Sequence, residues 1–330
     1  MKICITGGAG MIGSAIAKKL ILCGHEVSII DNLWRGKIKH LENIGFNINE
    51  NFYNIDLSNQ INIKSISELF SYSDTVFHLA DIVAGIGYVF NNQYDIFRIN
   101  NLINTNTFLA AKESKVKNII YAGTACSFPK ELQNSITSKL KENQLFPSNP
   151  ESLYGWSKLV GSLELNALKN ETGINATTLL LHNVYGPNCD WEPERSQVIP
   201  SLINKIISAT AEVTVWGSGT QGRAFIHVDD IVEAFIACLE ISNLPEFIQI
   251  GPSKCTEIRE LVHILIKISG KKNLQVKFDI TKPEGDKGRS ADCELAYNLL
   301  NWSTQKSLEE GLEELYKWIL NERQCINQIT

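Results

Sequence analysis

The feature that most constrains this chain is its opening, where a short apolar run, Lys2 to Thr6, leads into Thr6-Gly7-Gly8-Ala9-Gly10-Met11-Ile12-Gly13 and then into helical apolar spacing up to Cys23. Strand, glycine-rich turn and helix in that order form a ready anion site. Glycine allows a tight turn and lets the backbone approach a phosphate, while free amides at the helix start attract negative charge. Gly7, Gly10, Met11, Ile12 and Gly13 are therefore expected to cradle a dinucleotide pyrophosphate. Asp31, followed by Asn32, closes the second apolar run, where an acid hydrogen-bonds the adenosine ribose hydroxyls. A carboxylate there repels a 2′-phosphate, so NAD is expected over NADP. Arg35 lies close enough in sequence to weaken that preference, and otherwise reads as a surface arginine in a loop.

The first half continues in the same rhythm. Lys2 to Thr6, Glu26 to Ile30, Asn51 to Ile55, Thr75 to Leu79, Asn118 to Ala122 and Ala176 to Leu181 read as buried strands. Met11 to Cys23, Ile99 to Ser114 and Leu153 to Glu171 read as covering helices. This alternation predicts an α/β fold with a doubly wound parallel sheet (Rossmann), with ligands at the carboxyl ends of its strands. After Pro187 the pieces shorten to Pro200 to Ser208, Glu212 to Val215, Val228 to Leu239, Glu246 to Ile250, Thr256 to Ser269 and Ser307 to Leu320. They predict a smaller α/β lobe over 187–330, interleaved with the last sheet strands, beside a dinucleotide-binding domain over 1–186.

Composition narrows the partners. The chain has 330 residues, 44% of them hydrophobic, and a formal net charge of -5 with no long Lys or Arg run, which argues against nucleic acid and against a membrane span. Ile3 to Ile5 runs straight into the glycine turn and reads as a strand, not as the apolar region of a signal peptide, so a soluble cytoplasmic protein is expected. The eight cysteines form no CxxC pair, and no metal site is expected. Seven are read as structural thiols, with Cys126 set apart.

A second motif carries the chemistry. Tyr154-Gly155-Trp156-Ser157-Lys158 lies on an expected helix, so Tyr154 and Lys158, four residues apart, share a face. A tyrosine hydroxyl is a poor base at neutral pH, but an adjacent ammonium and a positive nicotinamide ring both favour phenolate. Tyr154 could then take a proton from a sugar hydroxyl. Thr124, at the end of the fifth strand, is placed to hydrogen-bond the oxygen being oxidised.

Together these motifs resemble the extended short-chain dehydrogenase/reductases of the NAD-dependent epimerase/dehydratase type, and more narrowly the GDP-mannose 3,5-epimerases and GDP-L-fucose synthases. The resemblance runs through Gly123 to Pro129, His182 to Pro187, Ser196 to Pro200, Val215 to Arg223, Lys282-Pro283-Glu284-Gly285 and Arg289. It implies that Asp56, Leu57, Leu79 and Ala80 line the adenine and ribose, with His78 a structural neighbour. It also implies that Asn183, Arg223 and Arg289 contact a sugar nucleotide, and the Gln197-Val198 and Trp216 stretches extend that site. The implied chemistry is transient oxidation at sugar C4, after which Cys126 removes a proton from a neighbouring carbon. At the second acid the sequence departs from the pattern: where the fucose synthases carry a histidine this chain has Gln197, which leaves His182 as a weak substitute. No Asp-Glu pair follows Thr124, which disfavours dehydration.

Three functions remain open at this point: an NAD-retaining epimerase of a GDP-activated hexose or heptose, a nucleotide-sugar C4 dehydrogenase, and a non-catalytic dinucleotide sensor, for which an intact YxxxK pair would be unusual. The helices Ile99 to Ser114 and Leu153 to Glu171 carry more apolar residues than one sheet-facing stripe needs, and in the resembling enzymes such a pair forms a dimer contact. A homodimer is expected.

Overall fold

The computed structural model describes residues 1–282 and 284–329. Pro283, within the Lys282 to Gly285 stretch, and Thr330 lie outside the described residues. Seven strands form one sheet: β1 (Lys2–Thr6), β2 (Glu26–Asp31), β3 (Phe52–Asn54), β4 (Thr75–His78), β5 (Asn118–Thr124), β6 (Asn175–Leu181) and β7 (Phe247–Ile250). Their order is β7-β6-β5-β4-β1-β2-β3, and every pairing is parallel. The order reverses between β1 and β4, which stay paired up to Thr6 and His78, so the connections leave to opposite faces and the crevice expected of a doubly wound sheet opens beyond their carboxyl ends.

Both faces are covered, which is why the strands are apolar almost throughout. On one side the helix Met11–Leu22 buries Ile16, Ala17 and Leu20 against Ile231 and Phe235 of the helix Val228–Ala237. On the other, the helices Ile63–Ser71, Gln93–Ser114 and Leu153–Thr172 cover a core that includes Phe70, Phe108, Tyr121 and Leu165. The chain beyond Pro187 supplies β7 and a covering helix to this unit. It also builds a separate core from Leu202, Ile203 and Ile206, from Val213 and Val215, from Leu261 and Leu265, and from Leu312 and Leu315.

Several expected boundaries move. The helix expected from Ile99 begins six residues earlier, at Gln93, and its first turn already buries Ile96. Thr256 to Ser269 is two elements: Thr256–Glu257 pairs antiparallel with Gly222–Arg223, and the helix starts at Ile258. The helix Ile63–Ser71, anchored by Ile66 and Phe70, is an addition to the sequence reading. So is the parallel pair Asn134–Leu140 with Gly288–Ala291. All eight cysteines are free thiols, but Cys23 and Cys325 are exposed and are not core thiols as expected.

Candidate active site

The glycine turn has the shape its sequence requires. Gly7 has φ +70°, and a Cβ there would lie 2.8 Å from the Ala80 amide nitrogen. At Gly13 a Cβ would come within 2.6 Å of the Gly8 Cα, so only glycine lets the helix start this close to the turn. Gly10 caps the helix with no side-chain hydrogen bond, which leaves the first amides of Met11–Leu22 free for an anion. Asp31 is buried at the end of β2 and accepts from the amides of Ala9 at 2.9 Å and Leu33 at 2.8 Å. Burial pushes its carboxyl above the usual range, and those two amides pull the other way.

Arg35 does not sit free beside Asp31. It donates to the Val83 carbonyl at 2.7 Å and approaches Asp190 at 3.7 Å, and Asp190 is also held by Arg195 at 3.1 Å. His78 is fully buried, between Thr6 at 2.7 Å and Asn104 at 3.1 Å, and is stacked on Tyr121. Burial, followed by the charge of Lys158, drives it down to about 3, so it is a neutral structural residue at any ordinary pH.

A cleft of about 1210 Å³ runs from the glycine turn along the strand ends into the lobe. It exceeds the roughly 300–1,000 Å³ of a site for one small molecule. Every residue singled out for the site lines it: Gly7, Gly10, Met11, Ile12, Gly13, Asp31, Asn32, Asp56, Leu57, Leu79 and Ala80 toward the turn; Thr124, Cys126, Tyr154 and Lys158 at the centre; Asn183, Gln197, Val198, Trp216, Arg223 and Arg289 toward the lobe. Among the described residues, Asn183 Oδ1, Ser196 Oγ, Gln221 Oε1 and Arg289 Nε are buried cleft atoms with no protein partner. Buried polar atoms are seldom left unpaired, so such a set suits a polar ligand. The helix Val198–Ser208 likewise opens into the cleft at Gln197 without a side-chain cap.

The central groups are held firmly. Ser152 caps the helix Leu153–Thr172 by accepting from the Gly155 amide, which fixes Tyr154 in the first turn. Gly155 lets that turn lie against the Cys126 backbone. Lys158 is fully buried, donates to the Ala122 carbonyl at 2.7 Å and pairs with Asp81 at 2.8 Å. Burial works against its charge, yet Asp81 and Tyr121 outweigh burial and hold the ammonium above its ordinary value. The Tyr154 phenol is pushed well up, first by burial and then by Asp81, whose carboxylate lies 3.5 Å from its oxygen. The expected lowering of Tyr154 by Lys158 is therefore corrected: in this structure Asp81 compensates the lysine's charge.

Cys126, just beyond Thr124, receives a hydrogen bond from Arg289 Nη2 at 3.0 Å. Arg289 also donates to Gln133 and pairs with Asp286. Arg223 lines the cleft, but its terminal nitrogens donate to the carbonyls of Gly222, Glu284 and Asp286. His182 is held to Gln249 at 2.9 Å and is pushed by burial down to about 4, which removes it as a proton donor near neutral pH. Asp81, Glu151 and Asp286 line the cleft and were missed in the sequence, as was Asn100, which holds the Ile82 amide at 2.7 Å next to Asp81. Asn100 left a faint signal, a polar residue on the apolar side of its helix. Outside the cleft lining, His227, Asp229 and Glu314 converge within 4.8 Å, but Lys306 Nζ pairs with both carboxylates at 2.7 and 2.5 Å. That arrangement is an ion-pair cluster.

Among the described residues no helix is long and apolar enough to cross a membrane. Comparison with known proteins agrees with this geometry. GDP-mannose 3,5-epimerase of Arabidopsis thaliana is 32% identical over 320 residues, covering 97% of this chain and 82% of the relative. GDP-L-fucose synthase 1 of the same plant is 30% identical, with 97% and 93% covered. Among solved structures, the UDP-glucose 4-epimerase of Thermotoga maritima with UDP-glucose superposes with a TM-score of 0.85 at 26% identity, covering 98% of this chain and 100% of that one. The UDP-glucuronic acid 4-epimerase of Bacillus cereus, in complex with UDP-glucuronic acid and NAD, gives 0.83 at 27%, with 98% and 100% covered. The sequence profile of one family matches residues 3–251, and by that match and these relatives the chain belongs to the NAD dependent epimerase/dehydratase family.

Proposed function

We propose that this chain is an NAD-dependent nucleotide-sugar epimerase that acts on a GDP-activated hexose or heptose through transient oxidation at C4. The observation that carries the reading is the Arg289 guanidinium 3.0 Å from the Cys126 sulfur, beside Thr124 in the cleft that also holds Tyr154 and Lys158. A plain C4 dehydrogenase needs Thr124, Tyr154 and Lys158 but has no use for a cysteine facing a fixed cation. A sensor needs none of the four. The GDP part draws on the named activities of the sequence relatives.

The glycine turn fits a dinucleotide, through the free amides after Gly10 and the Asp31 carboxylate beside them. NAD held there would supply a hydride acceptor and donor at C4. Arg35, committed to Val83 and Asp190, leaves Asp31 as the charge nearest the ribose end and supports NAD over NADP. Tyr154 takes the proton of the C4 hydroxyl, Thr124 orients that oxygen, and Lys158 with Asp81 sets the charge around the phenol. Once C4 is a ketone the neighbouring C–H bonds are acidic. Cys126, whose sulfur faces the Arg289 guanidinium, removes one such proton. Diphosphate oxygens are received by the amides that open the helix Val198–Ser208 and by the unpartnered Arg289 Nε.

Heavy water tests this directly. Incubated with GDP-mannose, the protein is expected to place deuterium at C3 or C5, and Cys126→Ser to lose most of it while still reducing bound NAD. Oxidation at C4 with no deuterium at either carbon would replace this reading with the dehydrogenase.

A further inference from the structure

Inverting a carbon needs a base on one face of the ring and an acid on the other. Gln197 cannot serve, since an amide gives up no proton at neutral pH, and His182 is neutral and held by Gln249. Tyr154 and Lys158 are occupied at C4. Of the carboxyl groups that line the cleft, Glu151 directly precedes Ser152, the cap of the Tyr154 helix, and its Oε2 lies 3.9 Å from where a Cβ on Gly285 would stand. Beside it Asp286 is tied to Arg289, whose other terminal nitrogen holds Cys126. Among the described residues Glu151 has no ion pair of its own.

We propose that Glu151 is the second acid of the epimerisation and delivers a proton to the carbon that Cys126 deprotonates. This rests on the epimerase reading above. Two carboxyl groups share the site, and Arg289 pairs with Asp286, which leaves Glu151 the carboxyl more favoured to carry a proton. Its carboxyl is held above the usual range, first by burial and then by Asp286, with Arg223 and Arg289 opposing. In the step itself the C–H bond beside the C4 ketone breaks, its proton passes to the Cys126 sulfur, and the electron pair enters the enolate. The Glu151 O–H bond then breaks, its proton forms the new C–H bond, and the enolate returns to the ketone. Nothing is oxidised or reduced in this exchange; Cys126 and Glu151 recover their protonation from solvent.

Glu151→Gln in heavy water isolates the acid from the base, with GDP-mannose, UDP-glucose and UDP-glucuronic acid as probes. With whichever probe the wild type inverts at C3 or C5, the variant is expected to invert that carbon at least about 100-fold more slowly. Recovered starting sugar should still gain deuterium at near the wild-type rate through Cys126, and Glu151→Asp should recover part of the inversion. Inversion by Glu151→Gln at the wild-type rate overturns the assignment and leaves the epimerase reading intact. Loss of exchange together with inversion, at unchanged NAD affinity, also overturns it, because Glu151 then serves binding. Exchange by the wild type with none of the probes overturns the epimerase reading and this assignment together.

Discussion

Asp81 shows how one residue changes the meaning of a motif. The YxxxK spacing alone says that an ammonium lies near a phenol. The structure adds a carboxylate 2.8 Å from the ammonium and 3.5 Å from the phenol oxygen. Asp81 is the second cause, after burial, of the phenol's upward shift. Since Tyr154 must lose its proton to act as a base, activity rises as pH climbs through the phenol's titration. In Asp81→Asn the phenol titrates lower, so the acidic limb of the kcat/KM profile is expected to move to lower pH. An unmoved limb, or one moved upward, would remove this electrostatic role. The same change leaves Lys158 buried without its partner, which is expected to cost on the order of 3 kcal/mol in urea melts. Asp81 was not legible in the sequence, because, unlike Asp31 at the end of the strand after the glycine turn, it stands in no motif that ties an acid to a ligand. The same holds for Arg289 against Cys126, 163 positions apart, a contact that only the folded chain creates.

The turn between β1 and its helix shows what a sequence does reveal. Each requirement there is local: Gly7 for a positive φ, Gly13 for close approach, and Gly10 for an uncapped helix start. All three fall within one stretch of sequence, so the element and its ligand class could be read together. The helix Ile63–Ser71 escaped because only Ile66 and Phe70 are buried on it, too few to fix a period. Asp31 joins two elements, ending β2 and accepting from Ala9 of the turn, so replacing it tests cofactor choice at this scale. Asp31→Asn keeps the shape and removes the charge that repels a 2′-phosphate. Its preference for NAD over NADP, measured by titrating both, is expected to narrow by roughly 1–3 kcal/mol, the scale of a charged hydrogen bond. A wild type that already prefers NADP would reverse the reading of Asp31.

For the whole molecule the open question is what covers the paired helices Gln93–Ser114 and Leu153–Thr172. They are fixed to each other by Thr105 to Glu164 at 2.9 Å and Lys112 to Glu171 at 3.0 Å, so they present one stiff surface. On that pair Tyr94, Leu109, Val160 and Leu163 remain 73%, 40%, 38% and 46% exposed. Scattered exposed apolar residues are ordinary, but a group of them on one rigid helix pair marks an interaction surface. A second copy meeting it about a two-fold axis would put the same residues on both sides of the contact. We therefore propose a homodimer, in which light scattering at micromolar concentration returns twice the chain mass of 36.9 kDa. Leu163→Glu places a charge on that surface, and Leu163 does not line the cleft. It is expected to yield a folded monomer, with NAD affinity within a few-fold of wild type and the dimer contact weakened by roughly 2 kcal/mol or more, the scale of losing a central contact. A monomeric wild type would remove the proposal, and a dimer that Leu163→Glu leaves intact would move the contact to another face.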